Sequence, residues 1–188
     1  MQTMNLLEVE TKAPIFWWDM SHLEPVLQSA RESIDDLRLT HPDSPVSNVK
    51  SVYMSPWKSH LLSDKLLPLC HEVIRLAKEV SKSYWNTDLE ALNQDFMIAD
   101  CWGVIYEQSD KTIAHSHYPS DFAAVMYLEA DDNCAPIIFD QKLVVQPRPK
   151  TLVMFPGYLL HEVPENHGHR VIVAMNLNKI PSFSNKTA

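Results

Sequence analysis

The spacing of apolar residues along the chain changes near residue 95. Upstream, residues 21–39 and 63–84 repeat apolar side chains every three or four positions, as one face of an amphipathic helix requires. Downstream, short β-rich runs are separated by turns built from Pro, Asn and Asp. The runs predict strands at 95–107, 112–117, 121–129, 135–139, 142–146, 151–155, 159–163 and 170–178.

About eight strands behind two helices favour a mainly β fold with helices (α+β). We predict a double-stranded β-helix, that is, a jelly-roll or cupin-like barrel, buttressed on one sheet by the N-terminal helices. With 188 residues, 45% of them hydrophobic, the chain 1–188 is expected to form a single domain. Residues 1–94 would be its mostly helical part, and residues 95–178 its barrel core.

Three histidines of the barrel half are the strongest candidates for chemistry. His115 and His117 stand two positions apart in a predicted strand, so both side chains project from the same face. His161, from a later strand, could complete one face of a metal coordination shell. Imidazole suits iron, zinc, copper and nickel, so the residue types leave the metal open. Asp121 is the nearest carboxylate that could stand in for one of the ligands.

A second His-x-His pair, His167 and His169, lies in the polar segment 165–169. Its composition predicts a solvated turn, so we interpret both residues as loop histidines.

Arg170 begins the strongly apolar run from Val171 to Met175. A guanidinium in this position either reaches outward to solvent or, if it faces the barrel interior, needs a buried anion. Its planar set of donors matches a carboxylate bidentately.

Composition and charge exclude several classes of function. The formal net charge of −8, with no basic cluster, disfavours sequence-independent binding to nucleic acid. Three glycines leave no Gly-rich phosphate loop. No apolar run is long enough to cross a membrane, and the first residues, Met1 to Asn5, do not resemble a secretion signal. Three cysteines without CxxC spacing favour reduced thiols, so we expect a cytoplasmic protein.

An ordered set of motifs runs through the barrel half: Trp102, His115-Ser-His117-Tyr-Pro119, Met126-Tyr127-Leu128, Phe155-Pro156, His161, Arg170 and a hydrophobic strand ending at Asn176. With this set, residues 102–178 resemble the 2-oxoglutarate/Fe(II)-dependent dioxygenases. Within that superfamily the chain is similar to a His-x-His-x-Pro subgroup found in marine bacteria and cyanophages. In this subgroup a histidine, here His117, replaces the usual carboxylate ligand.

The resemblance implies iron(II) and 2-oxoglutarate as cofactors, and hydroxylation of a substrate C–H bond with release of succinate and CO2. It implies that His115, His117 and His161 are the metal ligands and that Arg170 binds the distal carboxylate of 2-oxoglutarate. Further candidates for the cofactor pocket are Tyr106, Tyr127 and Asn176. The substrate would be a small molecule, a peptide or a protein, and a homodimer stays open.

Two alternatives remain at this point. The first is a cupin-like enzyme with a three-histidine metal site that works without 2-oxoglutarate, so that Arg170 binds a carboxylate of the substrate itself. The second is a non-catalytic barrel that holds a structural metal.

Overall fold

The computed structural model of the protein describes residues 12–182. Two helices, α1 (Glu24–Thr40) and α2 (Leu67–Ser83), accompany eleven strands in these residues. In chain order the strands are β1 (Phe16–Asp19), β2 (Val49–Lys50), β3 (Tyr53–Met54), β4 (Gln94–Tyr106), β5 (Lys111–His115), β6 (Phe122–Ala130), β7 (Ile137–Phe139), β8 (Leu143–Val145), β9 (Thr151–Pro156), β10 (His161–Val163) and β11 (Arg170–Pro181).

The strands form two antiparallel sheets, which confirms the predicted jelly-roll class. The larger sheet has the order β1-β9-β6-β11-β4-β3, and the smaller sheet has the order β2-β5-β10-β7-β8. Both predicted helices are present within a few residues of their expected bounds, and each begins after a short 3-10 turn. A proline stands in the first turn of each helix, where its missing N–H costs no hydrogen bond.

Side chains alternate along the central strands, and each face of the larger sheet therefore packs into a different core. On one face, residues such as Val171, Val173 and Met175 of β11 pack with α1 and α2. On the other face, residues such as Trp102, Val104 and Ile172 meet the smaller sheet. The helices thus cover one side of the larger sheet, and the space between the two sheets belongs to the barrel interior.

Three short strands were not predicted from the sequence. They are β1, β2 and β3, which contribute to the outer edges of the sheets. Residues 12–94 therefore contain these short strands in addition to the two predicted helices. A strand of two to four residues is too short to show alternation, so its pairing partner determines it rather than its own pattern.

Neither α1 nor α2 is long and apolar enough to span a membrane. The first residues, on which the expectation about a secretion signal depended, lie outside the described part of the chain.

Candidate metal centre

The smaller sheet brings two of the predicted ligands together directly. His115 ends β5 and His161 begins β10, and the two residues are partners in the antiparallel pairing of these strands. Their ring centroids lie 4.3 Å apart. Two residues 46 positions apart in the sequence thus become neighbours because β5 and β10 lie side by side in the sheet.

His117 lies just beyond the end of β5 rather than within it, which corrects the predicted strand 112–117. Its ring is nevertheless 5.0 Å from that of His115 and 5.0 Å from that of His161. One potential ligand atom from each histidine lies within 4.8 Å of the other two. Among residues 12–182 this is the one cluster of three or more His, Cys, Asp or Glu side chains with such spacing.

Hydrogen bonds to the backbone orient two of the three rings. Nδ1 of His115 donates to the carbonyl oxygen of Ile113 over 2.8 Å, and Nδ1 of His161 donates to that of Leu159 over 3.1 Å. A carbonyl oxygen only accepts, so Nδ1 carries the hydrogen and Nε2 keeps its lone pair. Metal-binding histidines usually donate their other ring N–H in this way, which fixes the tautomer and the orientation of the ring.

The three imidazoles also favour the neutral form that a metal requires. Burial lowers the pKa of His115. Burial, with the neighbouring His161 and His115, lowers the pKa of His117 to about 3. Burial and the proximity of His115 lower the pKa of His161 to about 4. At neutral pH all three rings can therefore offer a lone pair to a cation.

Asp121, the alternative ligand, is engaged elsewhere. One of its carboxylate oxygens accepts from the backbone N–H of Lys179 over 2.7 Å, and the other lies 3.0 Å from the Lys179 ammonium. The loop residue His169 binds Glu107 and Glu129 through its two ring nitrogens. Neither Asp121 nor His169 belongs to the histidine cluster.

Arg170 faces the barrel interior and is only 1% exposed. Its Nη1 donates to the carbonyl oxygen of Ala135 over 2.9 Å, and its guanidinium carbon lies 4.2 Å from the centre of the Tyr106 ring. Nε and Nη2 are buried without a hydrogen-bond partner. A buried cation with unused donors is costly unless an anion satisfies it.

The two predicted tyrosines stand beside this arginine. The Tyr106 hydroxyl is hydrogen-bonded to that of Thr112 over 2.7 Å. Burial raises the pKa of Tyr127 to about 12, although the charge of Arg170 opposes this shift. The Tyr127 hydroxyl thus keeps its proton at neutral pH and can donate it to an anion. One cavity is lined by both tyrosines, Arg170 and the three histidines.

Asn176 lies on β11, beyond Arg170. Its carboxamide nitrogen donates to Asp100 over 3.2 Å. The same side chain also interacts with His117 and acts to raise the pKa of that ring, against the larger effect of burial. The sequence interpretation did not single out Asp100. The available signal was its position on the predicted strand 95–107, two residues before Trp102 and therefore on the same strand face.

Comparison with known proteins shows what this architecture resembles. Neither a protein-family model nor a curated protein sequence matches the chain. Among solved structures, a prolyl hydroxylase from Trichoplax adhaerens, in complex with a peptide fragment of the hypoxia inducible factor oxygen degradation domain, is similar with a TM-score of 0.65. It is 14% identical over 87% of this chain and 83% of its own. HygX from Streptomyces hygroscopicus, with nickel and 2-oxoglutarate bound, has a TM-score of 0.64 at 12% identity over 91% and 84% of the two chains.

The chain has the fold of the 2-oxoglutarate oxygenases. A prolyl-4-hydroxylase from Pseudomonas putida extends the likeness, with a TM-score of 0.60 at 14% identity over 87% of this chain and 92% of its own. The narrower resemblance to the His-x-His-x-Pro subgroup stays a prediction from the motifs.

The residues of this oxygenase fold fit the two cofactors that the resemblance implies. Three neutral imidazoles form a donor set for a divalent transition metal. In the same cavity, the unpaired donors of Arg170 fit a carboxylate.

Gly157 holds the backbone of His117 in place. Its carbonyl oxygen accepts from the backbone N–H of His117 over 2.7 Å, and its own N–H donates to the Asp121 carbonyl oxygen over 3.0 Å. A Cβ atom at this position would lie 2.1 Å from the carbonyl oxygen of Ser120. The backbone here has no room for a side chain.

We expect Gly157→Ala to destabilise the protein by about 1–3 kcal/mol, the usual cost of overpacking, because backbone must move to relieve the clash. Metal affinity should fall as well, since His117 would shift with this turn. Urea unfolding and metal titration measure the two effects. Gly168→Ala is the comparison variant, because its nearest contact would be 3.1 Å, to a side-chain atom of Asp131. Equal stability of Gly157→Ala and the wild type would contradict this account of the turn.

Proposed function

We propose that the protein is an iron(II)- and 2-oxoglutarate-dependent dioxygenase that hydroxylates a C–H bond of its substrate. The observation that carries the proposal is the unpaired, buried guanidinium of Arg170 in the same cavity as three neutral imidazoles. A metal site alone would not require this arginine, and an anion site alone would not require the histidines.

In this proposal His115, His117 and His161 hold the iron, and Arg170 binds the distal carboxylate of 2-oxoglutarate. When both cofactors are bound they supply the oxidation: O2 and 2-oxoglutarate yield succinate and CO2, and one oxygen atom enters the substrate. Arg170 can form the parallel pair of bonds that a carboxylate accepts, and the protonated Tyr127 can donate a further one. The remaining lining is largely apolar, with Val104, Val125 and Ile172, and it limits access of water.

The three-histidine enzyme that works without 2-oxoglutarate is the second candidate. It is favoured by the absence of a carboxylate from the histidine cluster in residues 12–182. In that case the carboxylate bound by Arg170 would belong to the substrate. The dioxygenase is preferred because HygX, a solved structure of similar fold, has a metal and 2-oxoglutarate bound together.

Succinate formation tests the proposal. The purified chain is incubated aerobically with iron(II) and isotopically labelled 2-oxoglutarate, and labelled succinate is measured by mass spectrometry. We expect succinate above the level given by a His161→Ala variant and by the iron-free protein. If iron binds but 2-oxoglutarate is neither bound nor consumed, the three-histidine enzyme without this cosubstrate becomes the better assignment.

A further inference from the structure

A group of polar side chains lies on the face of the larger sheet that borders the cavity, toward the end of β11 that is distant from Arg170. On β11, Asn176 and Asn178 follow Arg170 on the same face, since side chains alternate along a strand. Asp100 of β4 is the pairing partner of Asn176. All three residues are half-buried, whereas Arg170 is only 1% exposed. The cavity face of β11 therefore runs from a closed end at Arg170 to an open end at these residues.

The open end offers hydrogen-bond acceptors with unused capacity. The carboxamide oxygen of Asn178 is buried without a partner. That of Asn176 is also buried and accepts no hydrogen bond of ordinary geometry from residues 12–182, although its carboxamide faces His117 and acts on the pKa of that ring. The Asp100 carboxylate accepts from Asn176 over 3.2 Å but forms no ion pair with any residue from 12 to 182. Unpaired buried acceptors are rare in folded proteins, and a functional role or a bound ion is among their explanations.

No Lys, Arg or His among residues 12–182 forms an ion pair with Asp100, and this includes Lys58, whose backbone is bridged to the neighbouring Cys101. The charge of Asp100 acts on His60, but burial and then the charge of Lys58 lower the pKa of His60, and the opposing effect of Asp100 does not overcome them. The His60 ring is therefore neutral at pH 7, and its buried Nδ1 also lacks a partner.

An exposed aromatic face lies beside the strand position of Asp100. Trp57 is 38% exposed, and its ring packs edge-on against Trp102 with the centroids 4.8 Å apart. Trp102 in turn lies 6.0 Å from the ring of His117. The carbonyl oxygen of Trp57 accepts from the backbone N–H of Cys101 over 2.8 Å, which holds Trp57 beside the strand position of Asp100. An indole face next to a carboxylate and amide oxygens is the combination that binds an organic cation.

We propose that Trp57, Asp100, Asn176 and Asn178, hereafter the acceptor rim, bind a positively charged group of the substrate, an ammonium or a guanidinium. The rim lies next to His117, so a cation bound there brings the adjoining part of the substrate to the metal centre. The net charge of −8 also attracts such a substrate. The assignment as a substrate site rests on the proposed function, but cation binding at the rim does not.

The binding test uses the full chain, with and without Mn(II) and 2-oxoglutarate, titrated calorimetrically with butylguanidine and with butylurea. Butylurea has a similar shape but no charge. We expect butylguanidine to bind more tightly and Asp100→Asn to weaken it roughly tenfold, the lower end for a charge-assisted hydrogen bond. Trp57→Leu should weaken it by about two- to fivefold, as the loss of a partly exposed cation–π contact predicts. Asp132→Asn is the matched control, because it removes the same charge from an exposed loop residue.

Equal affinity for butylurea and butylguanidine would overturn the proposal, as would unchanged binding in Asp100→Asn with a native circular dichroism spectrum. A capped tripeptide with a central arginine distinguishes the two sources of the cation. Tighter binding of the tripeptide than of butylguanidine indicates a peptide or protein substrate, and the reverse indicates a small amine or guanidine; either result supports the rim.

A titration of the same Mn(II)-loaded protein with 2-oxoglutarate separates this inference from the proposed function. Cation binding that depends on Asp100, in a protein that does not bind 2-oxoglutarate, would keep the acceptor rim and remove the dioxygenase assignment. Binding of 2-oxoglutarate without a preference for the cationic probe would do the opposite.

Discussion

Replacing Arg170 with alanine is expected to raise the dissociation constant of 2-oxoglutarate by about 10- to 150-fold. A charge-assisted hydrogen bond contributes about 1.5–3 kcal/mol, and each 1.4 kcal/mol changes the dissociation constant tenfold. Nε and Nη2 of Arg170 are buried without hydrogen-bond partners in the described chain. A bound carboxylate could therefore accept from both of them without displacing another acceptor. Isothermal titration of the Mn(II)-loaded protein with 2-oxoglutarate measures the change.

Arg170→Lys is the matched variant. An ammonium keeps the charge but cannot form the parallel pair of bonds, so it should restore only part of the affinity. Metal affinity should change little in either variant, because Arg170 is not a proposed ligand. Unchanged 2-oxoglutarate affinity in Arg170→Ala would remove this arginine from the cosubstrate site.

Replacing His161 with alanine should weaken metal binding by more than about 100-fold. Loss of a residue that only supports a ligand already costs about 10- to 100-fold, and a direct ligand should contribute more. His161 is 5% exposed and its Nδ1 is held by the Leu159 carbonyl oxygen, so no other described side chain is placed to substitute for its Nε2. Competition of Mn(II) or Zn(II) with a chromophoric chelator gives the affinity.

Two variants serve as controls for this experiment. His169→Ala removes an imidazole that binds Glu107 and Glu129, away from the cluster, and Asp121→Asn removes the charge of the alternative ligand. Both should leave the metal affinity near that of the wild type. A loss in Asp121→Asn as large as that in His161→Ala would place the carboxylate on the metal and contradict the three-histidine set.

The barrel was largely predictable, because its strands carry their own signal. Successive residues of β11 are apolar and belong to the two cores in turn. Several of them are β-branched, which favours a strand over a helix. The interior position of Arg170 was less certain from sequence, since arginine at the end of an apolar run often reaches solvent. The contact with Tyr106 and the 1% exposure of Arg170 give its direction.

The contacts around His117 were beyond prediction from the sequence. His117 lies outside the regular strand, so alternation does not determine its direction, and the turn at Gly157 does so instead. The neighbourhood of Asp100 and Asn176 depends on strand register across 76 positions of sequence. An irregularity in the pairing of β4 and β11 immediately follows Asn176, and no single-strand pattern encodes it.

A crystal structure with Mn(II) and 2-oxoglutarate bound would show the metal ligands and the cosubstrate contact together. We expect one ion with nitrogen atoms of His115, His117 and His161 within about 2.0–2.3 Å, the usual range for such ligands. We also expect the distal carboxylate of 2-oxoglutarate on the free donors of Arg170. If His117 is turned away and Asp121 coordinates the ion in its place, or if 2-oxoglutarate binds away from Arg170, the proposed site is wrong.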